Sequence, residues 1–232
     1  MYTSGAREFR ASIHVWLLRR VEPRPRSPEG LVVKVLVIGA TGVIGRAVVE
    51  ALSARHDVLQ AGHSSGDLRV DITDTASIER LMTDTGQIDA VVSAAGVMHV
   101  GPLAEMTEEQ MQLGVLNKLL GQINVARVAI PRLNDGGSIT LSSGLAARFH
   151  RPGWSVLSAV NAGLEAFGRS AATDVPRGIR VNIVSPGAVL ETLKRYGIQH
   201  LNIGTPAAEV ALAYVRFVEG TETGVVADTG RI

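Results

Sequence analysis

The run Val33-Lys34-Val35-Leu36-Val37-Ile38 passes directly into Gly39-Ala40-Thr41-Gly42-Val43-Ile44-Gly45, and a helical pattern begins inside that turn. An apolar strand, three spaced glycines and a helix in this order leave a chain few ways to fold. The first glycine permits a tight turn, the second lets a ligand approach the amides, and the third lets the helix pack on the strand. The helix N-terminus adds oriented N–H groups and a partial positive charge. A dinucleotide site is therefore expected, with Gly39, Thr41, Gly42, Val43, Ile44 and Gly45 around its pyrophosphate. The competing reading is a turn that serves structure alone.

Downstream of Leu31, short β-branched runs alternate with longer helical patterns, as in a parallel sheet covered on both faces. Strands are expected at residues 33–38, 57–61, 68–70, 90–93, 138–141, 180–184 and 225–227. Helices are expected from Gly42, from about Thr75, from Thr107 to Leu133, from about Val156 to Thr173 and from Pro206 to Val218. Thr107-Glu108-Glu109-Gln110 has the form of a capping box, and Pro131 marks the far end of that helix. The pattern predicts an α/β fold, a single doubly wound Rossmann-type domain with a seven-stranded, mainly parallel sheet over residues 31–232. With 232 residues, 46% of them hydrophobic, the chain can fill one such core but not a second large domain.

Composition removes several function classes. A formal net charge of +1, from 23 basic and 22 acidic side chains, supplies no field for nucleic acid or an anionic membrane. The absence of cysteine excludes disulfides, thiolate metal sites and a cysteine nucleophile, and suits a reducing cytoplasm. No run approaches the roughly 18 apolar residues of a membrane span. Residues 1–30 combine Arg7, Arg10, Arg19, Arg20, Arg24 and Arg26 with Pro23, Pro25 and Pro28, and read as a basic, proline-rich tail outside the fold. The apolar stretch from Ile13 to Leu18 is too short for a signal-peptide core. Three readings stay open for the tail: disorder, a targeting arm, or translation that begins near Val33.

The ribose end of the site separates two cofactors. An NAD site places an acid about 20 residues beyond the turn, at the tip of the second strand. Counting from Gly42 reaches Gly62, followed by His63 and Ser64, which donate hydrogen bonds and carry no carboxylate to repel a 2′-phosphate. NADP (NADPH) is therefore expected. A plain polar loop is the alternative.

These motifs, in this order, resemble the short-chain dehydrogenase/reductase (SDR) family from about Val33 to the carboxyl end. Asp71-Ile72 matches the acidic position used on the adenine ring, and Ser93-Ala94-Ala95-Gly96 matches the family's Asn-Ala-Ala-Gly motif beside the cofactor. Gly137 to Ser143 looks like the strand that ends in the catalytic serine, with Ser143 the better match. Arg180 to Gly187 is similar to the stretch that sets Pro186 and Gly187 against the nicotinamide. Asp228-Thr229-Gly230 resembles the terminal strand and turn more weakly.

The resemblance also exposes a departure. The family's proton-donating tyrosine falls at Leu157 and its lysine at Asn161, so this chain looks like an atypical member lacking the Tyr-x-x-x-Lys pair. Leucine transfers no proton, and asparagine holds a ribose hydroxyl without stabilising a phenolate by charge. The family's asparagine on the long helix falls at Lys118, with Asn117 beside it, and only one of the two can face the site. An inward Lys118 would return the missing positive charge from another helix; a solvated or subunit-contact lysine is the plainer alternative. Tyr196, in a segment that forms a mobile substrate lid in the family, and His150 are further candidates. Tyr214 fits the apolar side of the last helix.

The expected activity is hydride transfer between NADP(H) and a small carbonyl or alcohol substrate, with Ser143 orienting the oxygen and Lys118, Tyr196 or water supplying the proton. The alternative is a non-catalytic NADP(H)-binding sensor or partner subunit. A homodimer or homotetramer on the long helices is expected by analogy, with no metal, no nucleic acid and no membrane among the partners.

Overall fold

The computed structural model describes residues 32–197 and 204–230, so the expected tail at 1–30 lies outside the described residues. Central strands of a sheet covered on both faces must be apolar on both, and β1 (Lys34–Ile38), β4 (Ile88–Ser93) and β6 (Arg180–Pro186) are buried almost throughout. With β2 (Asp57–Gly62), β3 (Leu68–Arg69), β5 (Leu133–Ser142) and β7 (Val226–Thr229) they form one seven-stranded sheet. Its order is β3-β2-β1-β4-β5-β6-β7, and every pairing is parallel.

The two faces can be read from β1 alone. Leu36 and Ile38 point to the face covered by α2 (Thr75–Thr85), α3 (residues 108–129) and α4 (Ser155–Asp174), where Ile78, Leu81, Met82, Val125, Ala129 and Leu164 are buried. Val35 and Val37 point to the other, covered by α1 (Val43–Ser53) and α6 (Ala207–Glu219) through Val48, Leu52, Val210, Tyr214 and Phe217. The order in which strands are added to the sheet reverses between β1 and β4, and ligands of open α/β sheets bind in the crevice at the carboxyl ends of the strands at such a switch point.

The α3 helix runs from Glu108–Gln112 through a π-helical stretch, Leu113–Leu120, into Gly121–Ala129. Its N-terminus carries the expected capping box, with Thr107 Oγ1 accepting from Gln110 N and Gln110 Oε1 accepting from Thr107 N. It stops earlier than expected. Pro131 turns the chain into a short 3-10 segment, Ile130–Arg132, and Leu133 already pairs with Ile88 in the sheet. β5 therefore begins at Leu133 rather than Ser138, with a register shift before Ala90 meets Ser138. Among the described residues, the α-helix that was not anticipated is α5 (Leu190–Arg195), a short helix in the segment read as a lid.

Candidate cofactor and active site

At the end of β1 the backbone of Gly39 has φ +81°, and a Cβ there would lie 2.9 Å from the Ala94 carbonyl and the Ala95 nitrogen. The first glycine thus joins the β1 turn to the end of β4. A Cβ at Gly45 would lie 1.9 Å from Gly39 O, which is the contact that lets α1 start against the turn. Gly42 caps α1 without any side-chain hydrogen bond, and no acid lies in the first turn. The amides at that end remain unclaimed by side chains, as an anionic ligand requires. Thr41, Val43 and Ile44 complete the turn and are partly buried. The cradle fits a nucleotide diphosphate.

The ribose end is less simple than the sequence implied. Gly62 is buried, and a Cβ on it would meet Ser65 O at 2.2 Å, so the turn after β2 is tight. Ser64 is exposed. His63 is also exposed, but its Nε2 faces Asp71 Oδ2 at 3.9 Å. Asp71 accepts from Thr73 Oγ1 at 2.6 Å and Thr73 N at 2.9 Å, and these bonds hold its carboxyl below the usual range. A carboxylate therefore stands beside the expected phosphate donor. Ile72 is buried against Gly121, where an added Cβ would meet its side chain at 2.9 Å.

At the opposite end of the crevice, the choice between Asn117 and Lys118 is resolved by contacts. Asn117 Oδ1 accepts from Val97 N at 2.7 Å. Lys118 runs inward across Gly96: a Cβ on that glycine, whose φ is +144°, would lie 2.6 Å from Lys118 Cγ. Its ammonium donates to Ser143 O at 2.9 Å and to Asn161 Oδ1 at 2.8 Å. Asn161 is held in turn by its own amide, which donates to Leu157 O one helical turn away. Desolvation lowers the Lys118 ammonium to about 8. Lys118, Ser143, Asn161 and the Ala94-Ala95-Gly96 segment thus come together at the carboxyl ends of β4 and β5.

Ser143 is only 3% exposed, and its hydroxyl donates inward to Glu165 Oε1 at 3.3 Å. Glu165, itself 2% exposed, also accepts from Ser185 Oγ at 3.0 Å and from Arg148 Nη2 at 3.2 Å. Arg148 continues to Asp228 at the end of β7, and these carboxylates raise its guanidinium further above its usual range. Sequence reasoning missed this cluster. A signal for Glu165 existed, because Leu157, Asn161 and Glu165 recur at four-residue spacing on one face of α4. None existed for the Arg148–Asp228 pair, which spans 80 residues.

The other candidates lie apart. Tyr196 is 73% exposed at the end of α5, and its side chain makes no hydrogen bond or ring contact among the described residues. His150 is exposed as well. Tyr214 is fully buried, bonded to Ser142 Oγ at 2.7 Å, and burial raises its hydroxyl well above the ordinary value. Pro186 pairs with Thr229 at the end of β6, and Gly187 N donates to Thr229 O at 2.8 Å. Among the described residues no group of three or more His, Cys, Asp or Glu side chains could hold a metal ion, and no helix is long and apolar enough to cross a membrane.

Comparison with known proteins agrees with this geometry. The family profile described as Enoyl-(Acyl carrier protein) reductase matches residues 36–227. The chain is 28% identical over 240 residues to Hydroxynaphthalene reductase-like protein Arp2 of Metarhizium brunneum, covering 91% of this chain and 89% of that protein. Among solved structures it is similar to protein lin1944 from Listeria innocua, with 38% identity, a TM-score of 0.81, and coverage of 84% of this chain and 98% of that one. It is also similar to a small-chain dehydrogenase solved in complex with NADPH, with 27% identity, a TM-score of 0.78, and coverage of 86% and 97%. The sheet order, the glycine turn and the profile match lead to one assignment: the chain belongs to the short-chain dehydrogenase/reductase family.

Proposed function

We propose that the protein is an NADP(H)-dependent oxidoreductase that transfers hydride between the nicotinamide and a small carbonyl or alcohol substrate through a rearranged active site. The observation that carries this reading is the placement of Lys118, whose ammonium lies between Ser143 O and Asn161 Oδ1, the residue at which the resemblance sets the family's lysine. The glycine cradle accommodates the diphosphate, and relatives solved with NADPH and with NADP support the cofactor.

When bound, NADPH supplies the hydride for a substrate carbonyl carbon. The chain must then stabilise and protonate the oxygen. An ammonium has three donors, and two of them are occupied by Ser143 O and Asn161 Oδ1, which leaves one for a ribose hydroxyl or the substrate oxygen. A lowered pKa, about 8, makes that proton easier to release near neutral pH than from a free lysine. Ser143 contributes its carbonyl to this arrangement, and its hydroxyl, held by Glu165, fixes the end of β5. With Leu157 in the tyrosine's place, Lys118 is the proton donor in this reading, and Tyr196 stays outside the centre.

Leu113, Val115, Leu116 and Leu120 leave 39 to 49% of their surface exposed on α3, and we assign this face to a homodimer or homotetramer contact. The test of function is to bind NADPH by fluorescence and follow its oxidation with a panel of aldehydes, ketones and quinones. Turnover that falls by about 10² or more in Lys118→Met supports the mechanism, since general acid catalysis contributes on that order. Tight binding without turnover on any substrate would instead identify a cofactor-binding sensor.

A further inference from the structure

The short helix α5 is fixed in position by three contacts. Leu193 is buried and its N–H donates to Val189 O, Val189 bridges to Thr205, and Glu191 Oε2 accepts from Ala207 N at 2.9 Å at the start of α6. The last residue of α5 is carried by these contacts to the glycine turn. Thr41, Gly42, Val43, Arg46 and Arg195 line a single cleft there. Two guanidinium groups thus share a cleft with the N-terminus of α1, and no carboxylate lines it.

Among the described residues neither guanidinium is paired with a carboxylate. Arg195 is exposed, and its side chain makes no hydrogen bond or ion pair among the described residues. Glu191, the acid of the same helix, is already committed to Ala207 N. Arg46, which also lines the cleft, donates its Nε to Thr41 O at 2.9 Å and so braces the turn. Unpaired arginine beside free helix amides is the donor set that a bridging diphosphate fits, because guanidinium presents planar, paired N–H groups to phosphate oxygens.

We infer that Arg195 is a cofactor-binding residue that engages the diphosphate of NADP(H), bridging α5 to the glycine turn. The inference rests on the NADP(H) reading above and adds a residue that neither the glycine motif nor the family resemblance assigns. It selects the diphosphate over the 2′-phosphate because the cleft is lined by Thr41, Gly42 and Val43, whereas His63 and Ser64 do not line it. Binding at this point also couples cofactor occupancy to the position of α5, next to the place where the chain would receive its substrate.

The test separates the two phosphates of the cofactor. Native protein and Arg195→Gln are titrated with NADPH by fluorescence, and bound NADPH is displaced with ADP, which carries a diphosphate, and with 2′-AMP, which carries only the 2′-phosphate. The substituted side chain is exposed, so melting temperatures should coincide. The expected result is a loss of about tenfold in affinity for NADPH and ADP, with 2′-AMP unchanged and with partial recovery in Arg195→Lys. Unchanged ADP affinity would overturn the inference, as would an equal loss for 2′-AMP. Failure of the native protein to bind NADPH at all would instead overturn the cofactor reading on which it rests.

Discussion

Lys118 on α3 and Asn161 on α4 meet between the two helices, with Nζ donating to Oδ1 across 2.8 Å. A lysine and an asparagine facing each other across two helices put the ammonium in nearly the same place whichever helix supplies it. In the reading proposed above the two residues have exchanged family positions, and the exchange preserves the charge beside Ser143 while Leu157, in the tyrosine's place, carries no replacement acid.

The exchange makes a reciprocal prediction. Asn161→Lys alone would set a second ammonium against Lys118 in a site where Asn161 is 1% exposed, at a cost of about 3 to 5 kcal/mol for an uncompensated buried charge. Lys118→Asn alone removes the donor to Ser143 O and should cost about 1 to 3 kcal/mol. The double variant restores one charge and one amide, so urea denaturation should recover more than half of the Asn161→Lys loss. Losses that simply add would mean that the two residues do not interact.

A second prediction concerns pH. Burial pushes the folded Lys118 ammonium down to about 8, below the 10.5 of a free lysine. Between those values the unfolded chain holds a proton that the folded chain has released, so stability rises with pH across the window. Below pH 8 both forms are charged and the folded state carries the full cost of desolvating the ammonium. The melting temperature of native protein relative to Lys118→Met should therefore climb from pH 8 toward 10.5. Carbonyl reduction should move the other way, falling as the acid is lost above about pH 8. A flat difference in melting temperature would show that the ammonium is not desolvated.

Much of this molecule was legible before its structure, and the rest was illegible for identifiable reasons. The strand, turn and helix around Gly39 and Gly45 are constrained by close backbone contacts that only glycine satisfies, so sequence states them directly. The seven strands and the Thr107 capping box are likewise local patterns. The facing of Lys118 was not. It lies in the π-helical stretch Leu113–Leu120, where the angle per residue departs from the 100° of an α-helix, so counting from Pro131 cannot choose between Asn117 and Lys118. The early start of β5 was hidden because Asn134 to Gly137 reads as a loop, and only the pairing of Leu133 with Ile88 makes it a strand. Arg148 with Asp228, and Arg195 with Thr41, meet only through the tertiary fold.

Tyr214 supplies a control. Its hydroxyl is the partner of Ser142 Oγ, which also donates to Ser93 O, so Tyr214→Phe leaves Ser142 with a remaining bond. The expected cost is about 0.5 to 1.5 kcal/mol, read as a lower urea midpoint with an unchanged slope. Turnover with NADPH should stay within a factor of two or so, because a fully buried tyrosine whose hydroxyl is held well above its ordinary pKa donates no proton to substrate. A large loss of rate without loss of stability would make Tyr214 part of the chemistry and displace Lys118 from that role.

Glu165 tests whether the buried cluster supports the site or only the fold. It accepts from Ser143, Ser185 and Arg148, and each of these donors sits at the carboxyl end of a strand or in the loop that follows one. Glu165→Gln keeps an acceptor but loses the charge facing Arg148, whose guanidinium retains Asp228, and should cost about 1 to 3 kcal/mol. Glu165→Leu leaves Ser143 and Ser185 without that acceptor and should cost about 3 to 5 kcal/mol. If the cluster positions Ser143, and through its carbonyl Lys118, the glutamine variant should lower kcat more than it raises the KM for NADPH, and it should shift the alkaline inflection assigned to Lys118. A variant that melts earlier but keeps native kcat and the native pH profile would confine Glu165 to stability.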